Sequence, residues 1–156
     1  PALDAAGVLS FRLPWFEARP PRDWPAGAVA AVTTHDLPTL AGWWHGQDLA
    51  ERAALGLPAD GAARGREKAE WLARLGLPPG TGWSPALAAA FHAHAGAAPA
   101  AMLLVQAEDL AGARVAVNLP GTDRERPNWR HRLPVPVEGL LETPEAAAIL
   151  AAARGR

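Results

Sequence analysis

The chain has 156 residues, 49% of them hydrophobic and 20% charged, a globular composition with enough length for one core. Its 15 Lys and Arg against 16 Asp and Glu leave a net charge of −1, which is no electrostatic footprint for nucleic acid or an anionic membrane. There are no cysteines, so disulfides, thiolate metal sites and cysteine nucleophiles are excluded.

The longest apolar runs, such as 28–32 and 100–105, are too short to span a bilayer. No basic segment followed by an apolar one opens the chain. No signal peptide is therefore expected, and the expected compartment is the cytoplasm. Trp occurs 7 times and Tyr not at all, while the abundant alanine reads as a compositional bias without functional meaning. The opening Pro1-Ala2-Leu3-Asp4 reads like the interior of a longer chain.

In chain order, Val8-Leu9-Ser10-Phe11-Arg12-Leu13, ended by Pro14, reads as a strand. A Pro-rich link over 20–25 follows. Ala28-Val29-Ala30-Ala31-Val32-Thr33-Thr34 is apolar on both faces, as a buried parallel strand is. A helix is expected to begin after Asp36, with Pro38 in its first turn, and to carry Leu40, Trp43 and Trp44. Further helices are expected over 60–75 and over 84–95, the latter with Ser84 as N-cap, Pro85 at its first position and Gly96 past its end. A third strand covers 101–106, an irregular stretch runs over 118–136, and a last helix over 144–153.

This alternation predicts an α/β fold with a parallel sheet. Three strands with long connections suit part of an eight-stranded (β/α)8 TIM barrel better than a complete sheet. In such a sheet, polar residues past the strand ends gather on one rim. Here they are Glu17, then His35 and Asp36, then Gln106, Glu108 and Asp109. His92 and His94 face opposite sides of their helix and form no i, i+4 metal pair, so no metal site is expected.

Read residue by residue, Asp36 suits a helix cap and Asn118-Leu119-Pro120-Gly121-Thr122 suits a turn. Trp43, Trp44 and Trp71 suit core positions on helices. Trp129 lies in a polar loop, where its ring is able either to offer a stacking face or to wedge the loop against the barrel.

The long contiguous segment Thr34-His35-Asp36-Leu37-Pro38-Thr39-Leu40-Ala41-Gly42-Trp43-Trp44 resembles the bacterial amylomaltases, the 4-alpha-glucanotransferases of glycoside hydrolase family 77. Two further segments agree in order: Val8 to Glu17, similar to that family's sixth barrel strand, and the stretch with Gln106-Ala107-Glu108-Asp109-Leu110, Asn118-Leu119-Pro120-Gly121-Thr122 and Pro127-Asn128-Trp129-Arg130, similar to its eighth strand and the loop beyond. The resemblance covers essentially the whole chain. It implies the C-terminal part of the barrel, about strands six to eight, with a helical connection at about 51–98.

The resemblance also implies retaining transfer of α-1,4-glucan chains, with a maltodextrin donor, a sugar acceptor and no cofactor. Asp36 matches the carboxylate that stabilises the transition state, and His35 the imidazole on the same sugar. Asn118 and Pro120 match residues lining the sugar cleft, and Trp129 is a candidate stacking platform. The nucleophilic aspartate and the acid/base glutamate are expected upstream of Pro1, in a missing N-terminal part of the same enzyme. A retaining pair needs carboxyls about 5–5.5 Å apart, and neither Asp4, Glu17 nor Asp23 stands at the matching strand ends. The chain alone is thus expected to be inactive. The alternative is a carbohydrate-binding or scaffold fragment without catalysis.

Overall fold

The computed structural model describes residues 2–154, with the side chains of all of these except Leu3 and Asp4. Asp4, weighed above as a substitute carboxylate, falls outside the described side chains. The elements run α1 (Ala2–Ala5), β1 (Ser10–Arg12), a 3-10 turn (Pro21–Asp23), β2 (Ala28–Ala31), α2 (Leu40–His45), α3 (Gln47–Ala54), α4 (Gly61–Arg74), α5 (Pro85–Gly96), β3 (Met102–Leu104), α6 (Ala107–Leu110), a second 3-10 turn (Val137–Glu142) and α7 (Pro144–Arg154).

All three strands are parallel and lie in chain order, β1-β2-β3. Neighbours in sequence are neighbours in space, which is how consecutive strands of a (β/α) barrel lie; a doubly wound sheet reverses its strand order. Ser10 pairs with Ala28, and Val29 with Met102, so Phe11, Val29 and Met102 share one face. The opposite face is covered: Ala28 and Ala30 pack with Trp24, Ala98 and Ala100, and Leu103 joins them. Alanines here let the covering layer approach closely. On the other face Phe11, Met102 and Leu104 stay about half exposed.

The main core lies between α2, α4, α5 and α7. Leu40, Trp43, Trp44, Trp71, Leu72, Leu87, Phe91 and Ile149 are buried together, and half-buried Trp15 packs against them. The expected core positions of Trp43, Trp44 and Trp71 are thus the observed ones. Local chemistry sets the helix ends as expected. Asp60 caps α4 by accepting from the Ala63 amide, and Ser84 caps α5 by accepting from Leu87.

The structure corrects the sequence reading at α2. The helix starts at Leu40, and its cap is Thr39, whose Oγ1 accepts from the Gly42 amide at 3.0 Å. Asp36 is therefore not a helix cap. Pro38 explains the delay, because the residue before a proline is pushed out of the helical region. Gly42 is required for a further reason: a Cβ there would stand 2.2 Å from the Arg114 carbonyl oxygen. This close approach ties α2 to the segment leading into Asn118. Gly46, at φ 76°, then breaks the chain between α2 and α3. Among the described residues no helix is long and apolar enough to cross a membrane.

Candidate active site

Past the end of β2 the chain makes a tight turn, closed by the Leu37 amide donating to the Thr34 carbonyl at 3.1 Å. His35 and Asp36 are its two central residues, which places both side chains at the corner. Thr34 reinforces the turn, its Oγ1 accepting from the Asp36 amide. The side chains of His35 and Asp36 remain 56% and 55% exposed.

Asn118 comes to this corner from 82 residues away. Its Nδ2 donates to Asp36 Oδ1 at 2.7 Å, while His35 Nε2 stands 3.3 Å from Asp36 Oδ2. Each carboxylate oxygen thus has one polar neighbour, and the carboxylate stays accessible to solvent. The Trp129 ring lies 5.2 Å from the His35 ring, tilted by 50°. Trp129 is 59% exposed. The ring covers the corner beside His35 and belongs to neither described core cluster.

The loop that carries Asn118 and Trp129 is built from inside. Arg126 is buried; its Nη2 donates to the Ala116 carbonyl at 2.5 Å and stands 3.3 Å from Glu51, and its Nη1 donates to Asn128 Oδ1 at 2.6 Å. Asn128 Oδ1 also accepts from the Leu119 amide, and its Nδ2 donates to both oxygens of Thr122. The Trp129 amide donates to the Val117 carbonyl at 2.8 Å. Trp129 has φ 61°, the only non-glycine with positive φ among the described residues. Such a conformation costs about 1–3 kcal/mol and persists only where neighbours enforce it. Asn128 turns inward and Trp129 outward, so adjacent residues of one motif divide framework from surface.

Pro120 occupies an exposed turn with Gly121 at φ 85°, closed by the Thr122 amide on the Leu119 carbonyl. The turn reading of this segment is correct. Pro120 takes no part in the hydrogen bonds that hold Asp36.

Two other rim expectations need correction. Glu17 turns back to β1, its Oε1 accepting from Arg12 at 2.8 Å. Asp109 is not on the rim surface at all. It is buried, accepting from Thr33 Oγ1 on Oδ2 and from the Leu40 amide on Oδ1 at 2.9 Å, with His92 Nε2 3.8 Å away. Burial pushes its carboxyl up from the ordinary range, while His92, the Thr33 hydroxyl and the Leu40 amide pull it back. A single sequence offers no sign of which acidic residue after a strand turns inward. Likewise Arg124, Arg126, Arg130 and Arg132 look alike in sequence, although Arg126 is the buried one.

Gln106 and Glu108 line a crevice of about 10 Å³ with Thr33, Thr34, His35, Leu37 and Val117. That is room for roughly one water, so any larger molecule meeting His35 and Asp36 lies over the exposed corner and not inside this crevice. A larger cavity of about 420 Å³ is lined by Trp15, Phe16, Pro38, Trp43 and Trp71, and Leu37 is its wall shared with the crevice. It does not include His35, Asp36 or Asn118. The neighbouring cavity is roomier than the crevice, but the converging polar groups point to the corner. Among the described residues no group of three or more His, Asp or Glu could hold a metal ion.

Residues 1–137 match the family model of the 4-alpha-glucanotransferases. The chain is similar to the 4-alpha-glucanotransferase of Mycobacterium tuberculosis strain H37Rv, at 30% identity over 95% of this chain and 24% of that protein. It is also similar to that of Haemophilus influenzae, at 32% identity over 74% of this chain and 19% of the relative. Among solved structures, amylomaltase from Corynebacterium glutamicum superposes with a TM-score of 0.82 at 28% identity, over 97% of this chain and 26% of that one. Amylomaltase from Streptococcus agalactiae in complex with acarbose superposes at 0.58 with 14% identity, over 96% and 27%, which speaks for the fold alone. The chain spans about a quarter of the length of the relatives it matches. Its strands and helices are a partial (β/α)8 barrel, and the chain belongs to the 4-alpha-glucanotransferase family.

Proposed function

We propose that this chain is the C-terminal part of the barrel of an amylomaltase and carries the rim that stabilises its transition state. The reaction is a retaining double displacement on α-1,4-glucans. A nucleophilic aspartate attacks the anomeric carbon while a glutamate protonates the departing sugar. The same glutamate then takes the proton from an acceptor hydroxyl, which displaces the aspartate and receives the glucan. Both carboxyls belong to a part of the polypeptide outside these 156 residues.

Asp36 acts on the reacting glucose in the transition state of both steps. As its ring flattens and gains positive charge, a carboxylate bonded to ring hydroxyls holds the charge and the distorted shape more strongly than it holds the ground state. The observation that carries this reading is the Asn118–Asp36 hydrogen bond beside His35, on an exposed corner of a chain in this family. Asn118 fixes one carboxylate oxygen, so little reorganisation is needed when charge develops. His35 hydrogen-bonds the same sugar, Trp129 offers a ring to a glucose face, and Pro120 lines the cleft beside Asn118. The partners are a maltodextrin donor and a sugar acceptor, no cofactor takes part, and the setting is cytoplasmic maltodextrin metabolism.

The test is the product pattern of the complete polypeptide on maltotriose. Transfer gives glucose together with maltodextrins longer than the substrate. Binding of maltodextrin without any turnover would favour a carbohydrate-binding scaffold, and hydrolysis to shorter sugars alone would remove the transferase. The 156-residue stretch by itself is expected to give no products.

A further inference from the structure

The loop 34–39 carries His35 and Asp36, and it contains few bonds of its own: the Leu37 amide on the Thr34 carbonyl and the Asp36 amide on Thr34 Oγ1. Its two feet are Thr33, past the end of β2, and Leu40, the first residue of α2. One side chain holds both feet. Asp109, which follows β3 in α6, takes the Thr33 hydroxyl on Oδ2 and the Leu40 amide on Oδ1 at 2.9 Å, across 76 and 69 residues of sequence. All three groups are enclosed.

Behind Asp109 stands His92 of α5, fully buried, with Nδ1 2.9 Å from the Ala88 carbonyl and Nε2 facing Asp109 Oδ2 at 3.8 Å. Among the described residues His92 Nε2 has no hydrogen-bond partner, so the imidazole backs the carboxylate without taking either foot from it. The separation of the feet is therefore set by one rigid carboxylate, and the placement of Asp36 opposite Asn118 follows from it.

We propose that Asp109 is a positioning residue for the transfer reaction, acting through Asp36 by fixing both feet of its loop. The inference rests on the glucanotransferase reading and deepens it: the proposed transition-state contact is aimed from a buried carboxylate that no substrate reaches. Misplacing a reacting group by about 1 Å costs on the order of a hundredfold in rate. Loosening one foot moves Asp36 relative to the sugar without touching the surface that binds the rest of the glucan, so kcat should fall and KM should hold.

Because Asp109→Leu could prevent folding, the primary variant is Thr33→Val, which keeps the side-chain shape and deletes one foot's hydroxyl. It is made in the complete polypeptide, beside wild type, Thr33→Ser, Asp36→Asn and the Thr33→Val/Asp36→Asn double variant, with kinetics on maltotriose and a melting curve for each. Thr33→Val should lower kcat about ten- to a hundredfold with KM nearly unchanged. Thr33→Ser should restore most of that loss. In the Asp36→Asn background Thr33→Val should have almost no further effect, since it acts through the group already removed.

A Thr33→Val protein that melts lower but keeps wild-type kcat would overturn the positioning role, leaving a purely structural one. So would equal losses in the presence and absence of the Asp36 carboxylate. An inactive wild type would instead remove the transfer reaction itself, and this inference with it.

Discussion

The rim around Asp36 and the tryptophan core next to it in sequence are held by opposite kinds of force. The rim is irregular backbone fixed by directional bonds: Asn118 to Asp36, Asp109 to Thr33 and Leu40, Arg126 and Asn128 to the loop over 116–122. The core is ring against ring. Phe91 lies 4.9 Å from Trp71 and 5.8 Å from Trp15, and meets Trp43 and Trp44 edge-on. A strong polar feature at its edge, Arg64 forked onto Asp48 at 2.9 and 2.6 Å, also covers the Trp43 ring at 4.8 Å.

Packing is non-directional and tolerates small shifts, whereas hydrogen bonds fix angles. The lesson is a division of labour. Substitution in the core should cost stability and spare the chemistry of the molecules that fold, and substitution at the rim should do the reverse.

Away from Asp36, the largest expected effect is Phe91→Ala. Phe91 is fully buried at the centre of the ring cluster. Its truncation should cost about 3–5 kcal/mol, read by denaturant unfolding, with kcat per folded molecule unchanged. A kcat that falls with stability would break the proposed separation of core from rim. Trp129→Ala tests the other side. Its ring is mostly exposed, so the melting curve should barely move, while KM for maltodextrins should rise about three- to tenfold, equivalent to about 0.7–1.4 kcal/mol of binding. A large loss of stability with unchanged KM would make the ring a structural wedge after all.

The smallest effect is a pH dependence within the core. Burial, then the charge of Arg74, lowers the pKa of His94 below its ordinary 6.5. The folded protein therefore holds this proton less tightly than the unfolded chain. The stability concerned is present above about pH 6.5 and is lost as pH falls from there through the lower folded value. A melting series from pH 7.5 to 5 should show a modest decline that His94→Gln reduces, and an unchanged slope would assign the decline elsewhere.

Much of the frame was legible in the sequence because its signals are local. Asp60 and Ser84-Pro85 announce their helices through caps, and apolar runs broken by Pro and Gly announce the strands and their parallel order. The strands proved shorter than the apolar runs, since pairing ends where the neighbour's backbone departs: β1 is Ser10–Arg12, without Val8 and Leu9. The start of α2 was misplaced because Asp36 and Thr39 are both good caps, and Pro38 decides between them. His35 and Asp36 stood out through a long contiguous motif. The groups that aim them did not. Nothing local distinguishes buried Asp109 from Glu108, or Arg126 from the arginines around it, since inward or outward orientation is set by contacts across tens of residues.

The most direct measurement is steady-state kinetics of Asp36→Asn in the complete polypeptide on maltodextrins, with a melting curve alongside. Asn keeps an Oδ1 that accepts from Asn118, and Thr39, not Asp36, caps α2, so the melting temperature should stay close to wild type. Loss of a carboxylate that acts mainly in the transition state should lower kcat about a thousandfold or more, on the order of 4 kcal/mol, with a much smaller change in KM. A stable Asp36→Asn protein with near-wild-type kcat would contradict the assignment of the chemistry to this corner.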